Sequence, residues 1–250
     1  MPEHRHARPS ADRTPSTGRI NPERKESSRA RVRQSLLWGE LAAIFVGVPL
    51  LIWSDWFPVG LILGPLYLIT LYAIFWQRRW GELTARHLWY GNSAEAERAG
   101  LRRVLWRFAL LAPAIGLFTA TVFPDRLFDL PSQQPLLWVT LLVFYPLLSV
   151  YPQEMLYRAF FFRRYAPLFP RQGWLLASNA LLFGFMHIVF GNGVATALST
   201  IGGYLFADTY ARSRSLRLVC LEHTLYGNLL FSVGLGKFFL YGHAAVLMGN

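Results

Sequence analysis

The chain is poor in cysteine, lysine and charge. Its 250 residues hold one cysteine, Cys220, which excludes an intramolecular disulfide framework and a cysteine-based metal cage. Beside an apolar run, Cys220 reads as a core residue. Charged residues make up 16%, against about 25% in soluble domains. Lys25 and Lys237 are the only lysines among 25 cations, which leaves 25 − 2 = 23 arginines. No His-Glu-x-x-His segment occurs, so the ordinary zinc-protease helix is excluded. No small-residue cleavage site follows the first apolar run, and the polar stretch before it is too long for the n-region of a signal peptide.

What is abundant is apolar. Hydrophobic residues reach 53% and aromatics 16%, with nine Trp and a mean hydropathy of +0.28. This balance indicates a membrane protein rather than a large soluble core. The net charge of +11 is the kind that draws nucleic acid. Here, however, the arginines cluster in a tail and between apolar runs, the pattern of membrane orientation and anionic-lipid contact. No nucleic-acid partner is expected.

Residues 1–34 carry nine cations and four anions, a net 9 − 4 = +5. Such a stretch buries too little apolar area to offset its ordering entropy, and is expected as a disordered basic tail. Seven apolar runs follow, near 36–54, 58–76, 104–124, 135–162, 173–190, 194–211 and 216–236. At 1.5 Å per residue, about 20 residues cross a hydrocarbon core of about 30 Å, and in lipid such spans must be helical. The expected fold is all-α, a polytopic bundle of about seven transmembrane helices. Arginines fill the tail and the connections after the second, fourth and sixth runs, whereas the intervening connections hold Arg126 alone. This alternation places the N-terminus in the cytoplasm. The Arg-rich, short multi-span chain reads as a protein of a bacterial inner membrane.

Ionisable groups inside spans cost roughly 2.5–3.5 kcal/mol each on insertion scales and are functional candidates. The fourth run holds Gln153, Glu154 and Arg158. The fifth holds Asn179, Phe183 and His187, four apart and so on one helix face. The seventh holds Glu222, His223 and Asn228. Glu154 and Arg158 at i,i+4 are placed to form an ion pair that lowers the burial cost of each. One Glu and two His on three helices are the groups needed to activate a water, directly or through a metal. Glu154, His187 and His223 also match the ligand count of a catalytic zinc site with an open position. The residues do not choose between these two forms.

The order "QEMLYR", "FGFMH", "HTLYGN" on separate helices resembles the CAAX-protease and bacteriocin-processing family of intramembrane proteases, also called the Abi family. The resemblance spans about residues 135–236 and extends to "GGYLFADTYARSRSLRLVCLEHTLYGN". It divides the chain into a tail (1–34), N-terminal helices (35–134), a catalytic helical core (135–236) and a C-terminal tail (237–250). It implies a peptidase with a polar cavity inside the bilayer. Glu154 corresponds to the second acid of the family's Glu-Glu pair, and Gln153 stands in place of the first. Four residues after His223 is Gly227, with Asn228 one further. On this resemblance Arg158 holds Glu154 ionised, Glu154 with His187 activates water, and His223 with Asn228 stabilises the oxyanion. In a metal version Glu154, His187 and His223 bind a divalent ion such as zinc. The bacterial character of the chain, with 23 Arg against 2 Lys, favours a peptide or membrane-protein substrate over a prenylated one. A catalytically silent binding or immunity protein is the alternative, and a small transporter a third reading, although no internal repeat is visible.

Overall fold

The computed structural model describes residues 22–54, 63–80, 89–91 and 93–239. The tail to residue 21, the Arg86 stretch and the C-terminal tail from residue 240 lie outside them. Seven long helices and several short turns are present among the described residues, with no strand. Helix α1 runs from Pro22–Ala42 through a π turn, Ala43–Gly47, to Val48–Trp53. It begins inside the stretch expected to be disordered. Residues 22–34 are rich in Arg and Glu, both compatible with helix, and continue directly into an apolar segment. Then follow α2 (Leu63–Arg79), α3 (Ala94–Val122), a short α4 (Asp129–Gln133), α5 (Pro135–Arg164), α6 (Gln172–Met186), α7 (Gly193–Ser213) and α8 (Leu216–Val233).

Among the described residues, four segments are long and apolar enough to cross a membrane: Glu26–Trp53, Ala94–Val122, Pro135–Arg164 and Gln172–Phe190. The described residues form an all-helical fold with helices apolar enough to span a membrane, as in an integral membrane protein. Of the seven expected spans, these four meet the criterion of length and composition among the described residues. Helix α2 is 17 residues long. Helices α7 and α8 are long enough but carry Asp208 and Arg212, and Arg217, Glu222 and His223, respectively.

Helix α5 departs from regular geometry twice, at the π turns Pro146–Val150 and Met155–Phe160. The cause is local. Pro146 and Pro152 lack the N–H that a regular helix requires, and each orphans the carbonyl four residues earlier. Both carbonyls are claimed by other helices. The Tyr67 hydroxyl donates to Leu148 O at 2.8 Å, and Asn228 Nδ2 donates to Leu142 O at 3.5 Å. Within the second π turn, Phe161 N–H reaches back to Leu156 O, and Asn179 Nδ2 donates to the Tyr157 carbonyl at 2.7 Å. Kinks that would be costly in lipid are thereby satisfied inside the bundle.

Small residues bring helices α6 and α7 together: a side chain on Gly184 would collide with Thr200, the close approach that membrane helices favour. The aromatic core centres on Phe45, Tyr157, Phe160, Phe161, Tyr165 and Phe183, and Cys220 packs half-buried against it. The basic connections meet at one end. Arg217 pairs with Glu97 at 2.6 Å, Arg164 with Glu40 at 2.5 Å, and Arg214 lies over Phe162 and Tyr210. At the other end Lys237 pairs with Asp129, and Arg126 lies over Phe123 and Phe238.

Candidate active site

A cavity of about 490 Å³ opens between α1, α2, α5, α6, α7 and α8. Most of its wall is apolar, from Ile44, Leu66, Leu141, Phe144, Phe183 and Phe206 among others. The polar groups on the wall include Tyr145, Ser149, Gln153, His187, Ser199 and His223.

Glu154 is not on the wall. Its side chain is fully buried, with Oε1 2.7 Å from His223 Nδ1 and Oε2 3.1 Å from Arg158 Nε. The Arg158 contact is an ion pair whose N–H does not point at the oxygen, since Nε makes no hydrogen bond. Arg158 is equally buried. Its Nη2 donates to Gly203 O at 3.1 Å, and its guanidinium lies 4.5 Å from the Phe183 ring centre and 5.4 Å from that of Phe206. Cation–π contact with these two rings offsets part of the lost hydration.

Both histidines reach the cavity with defined tautomers. His187 ends α6 in a 3₁₀ turn, with Nδ1 2.7 Å from Phe183 O. A carbonyl only accepts, so Nδ1 carries the hydrogen and Nε2 keeps its lone pair. The carboxylate of Glu154, held beside Arg158, likewise accepts from His223 Nδ1, which again leaves Nε2 as the basic nitrogen. The His223 ring stacks on Phe206 at 4.6 Å and meets Phe183 edge-on at 5.6 Å. Phe183 also contacts His187 at 4.9 Å, so one ring buttresses both imidazoles.

The structure thus gathers Glu154, Arg158, His187 and His223 about Phe183, and separates Asn228. That residue turns to α5 and bonds the Leu142 carbonyl, while Gly227 faces the cavity. No bulge in α8 brings Asn228 round. Asn179, Phe183 and His187 are all buried as their spacing implied, but Asn179 serves the α5 backbone. Gln153 takes the wall position, its Nε2 donating to Ser149 Oγ at 2.8 Å. Glu222 points the other way, toward Arg107 at 3.7 Å, and Arg107 also pairs with Asp208 at 2.5 Å. Tyr145 and Ser149 were not anticipated: one lay among many aromatics and the other among many apolar residues. The available signal was Pro146 and Pro152 inside a single apolar run.

The donor set does not form a three-ligand metal shell. Glu154 has one oxygen on His223 Nδ1 and the other against Arg158, which leaves two imidazole nitrogens facing the cavity. Among the described residues no group of three or more His, Cys, Asp or Glu is arranged to hold an ion. Catalytic zinc takes three protein ligands, so the residues present do not fit it.

No curated protein and no solved structure matches the chain. A family model described as type II CAAX prenyl endopeptidase Rce1-like matches residues 133–229, the segment that supplies Glu154, Arg158, His187 and His223. Over that segment the chain is similar to the CAAX-protease family.

Proposed function

We propose that this protein hydrolyses a peptide bond of a peptide or membrane-protein segment inside the bilayer, with His223 as general base. One observation carries the reading: a cavity-lining imidazole whose Nδ1 lies 2.7 Å from a fully buried carboxylate. Glu154 fixes the His223 tautomer and stabilises the imidazolium that forms, the part a buried acid plays in a catalytic triad. Arg158 is the counter-charge of that acid.

Water in the cavity gives one proton to His223 Nε2 as its oxygen adds to the scissile carbonyl carbon. The C–N bond then breaks, and the same proton passes to the leaving amine. His187, neutral with Nε2 free, accepts the second hydrogen of the water and holds it in line. Gln153 cannot take up a proton and is a polar contact for the peptide backbone. The apolar wall excludes bulk water and accepts hydrophobic side chains. The cationic end, with Arg163, Arg171, Arg212, Arg214 and Arg217, is the cytoplasmic face of a bacterial inner membrane and contacts anionic lipid.

The test is cleavage of a quenched-fluorescence library of hydrophobic peptides by protein reconstituted in vesicles. Wild type is expected to cleave, and Glu154→Gln and His223→Ala to lose at least about 10²-fold in kcat, the lower end for general base catalysis. Binding of peptides without cleavage by the wild type would instead support the silent-relative reading.

A further inference from the structure

A peptidase needs more than a base. Negative charge develops on the carbonyl oxygen, and a donor must already be aimed at it. Asn228 is engaged on the Leu142 carbonyl, Gln153 donates to Ser149, and both imidazole Nδ1–H groups are used. The cavity wall offers further donors in the hydroxyls of Tyr145, Ser199 and Tyr226, and of these tyrosines it is Tyr145 whose ring meets that of His223.

Its place depends on a missing side chain. Gly227 follows His223 by four residues, one turn along the same face of α8. A Cβ at 227 would lie 2.5 Å from the Tyr145 hydroxyl oxygen and 2.6 Å from Cζ, inside van der Waals contact. With glycine there, the Tyr145 ring crosses α8 and meets the His223 ring edge-on at 5.9 Å and the Phe231 ring at 5.3 Å. Around it α5 is tied to α8 twice, by Trp138 Nε1 donating to Ser232 Oγ at 3.0 Å and by Asn228 on Leu142 O. The tyrosine hydroxyl itself has no hydrogen-bond partner among the described residues.

We propose that Tyr145 is a catalytic residue: its hydroxyl donates to the carbonyl oxygen of the scissile peptide as water adds, in the space that Gly227 leaves open. This rests on the peptidase reading above. As water adds, the carbonyl π pair moves onto oxygen, the Tyr145 O–H holds that oxyanion, and the phenol keeps its proton. The reaction sets the spacing required. The base lies about 2.6–3.2 Å from the water, the water about 3–3.5 Å from the carbon, and the donor about 2.7–3.1 Å from the oxyanion. Folded about a tetrahedral carbon, these legs span on the order of one helical turn, about 5.4 Å. Asn228 is then a positioning residue, acting on Tyr145 through the α5 backbone.

The experiment compares wild type, Tyr145→Phe and Gly227→Ala in the vesicle assay, alongside binding of an uncleavable peptide phosphinate and of the matching amide. Tyr145→Phe keeps the ring and its packing. It is expected to lose about 10²-fold in kcat, as for one oxyanion donor, with KM within about twofold. Phosphinate binding should weaken by a similar factor while amide binding holds. Gly227→Ala, which displaces the ring, should fall in the same direction. A cleaving wild type matched in rate by Tyr145→Phe overturns this inference and leaves the peptidase reading standing. A wild type that cleaves nothing overturns the peptidase reading; equal phosphinate affinity in wild type and Tyr145→Phe then overturns the donor role as well.

Discussion

Gln153 and Glu154 share a peptide bond and meet different surroundings: the amide lines the cavity, and the carboxylate is sealed behind it against His223 and Arg158. Neighbours on a helix diverge by about 100°, so only one of them can face a given cavity. Activity should therefore tolerate change at 153 and not at 154. Gln153→Ala is expected to keep the rate within about tenfold, whereas Glu154→Gln abolishes cleavage. An inactive wild type revived by Gln153→Glu would move the base to position 153.

Arg158 is buried with a single carboxylate partner and one backbone carbonyl. Removing one member of a buried pair costs about 3–5 kcal/mol, because the other charge is left without its partner. Arg158→Ala should lower the thermal midpoint in detergent, reduce yield and abolish activity together. Wild-type stability in that variant would mean that Glu154 needs no counter-charge.

Asn179 tests whether the α5 distortion is held from outside. Its Nδ2 satisfies the Tyr157 carbonyl, adjacent to Arg158. Asn179→Leu leaves that carbonyl unpaired at a cost of about 1–3 kcal/mol. We expect a destabilised protein with a lower kcat, read by thermal unfolding and by the vesicle assay. Unchanged values for both would show that the turn holds itself.

With two imidazole nitrogens and no third protein ligand facing the cavity, activity should survive exhaustive dialysis against a chelator. Loss of activity restored by added zinc would overturn the water-activation scheme.

Orientation is open to labelling. In a Cys220→Ser background, a cysteine replacing exposed Arg171 should react only from the cytoplasm, and one replacing exposed Asp125 only from outside. Labelling of position 171 from outside would reverse the topology.

Much of the core was legible before any coordinates. Apolar runs at span length became helices, and the i,i+4 rule placed Glu154 beside Arg158. The fourfold spacing buried Asn179, Phe183 and His187 together. What periodicity could not convey is phase through α5. Each π turn holds an extra residue relative to a regular helix, so the direction in which 153 or 154 points relative to Tyr145 depends on the first of them. The identity of Asn228 suggested substrate contact, yet its partner is the Leu142 carbonyl on another helix, orphaned by Pro146 four residues later. Tyr145 was invisible because its role depends on what Gly227 lacks.

The two π turns of α5 also make the site a matter of counting. A substitution at Gln153 or Glu154 changes one functional group. Loss of a single residue between Tyr145 and Gln153 with the π turn retained would rotate everything downstream by about 100° relative to Tyr145. Glu154 and Arg158 would swing together away from His223 with their identities intact. In this helix, insertion and deletion are the changes to which the site is most sensitive, and two sequences alike at every polar position could differ in chemistry through length alone.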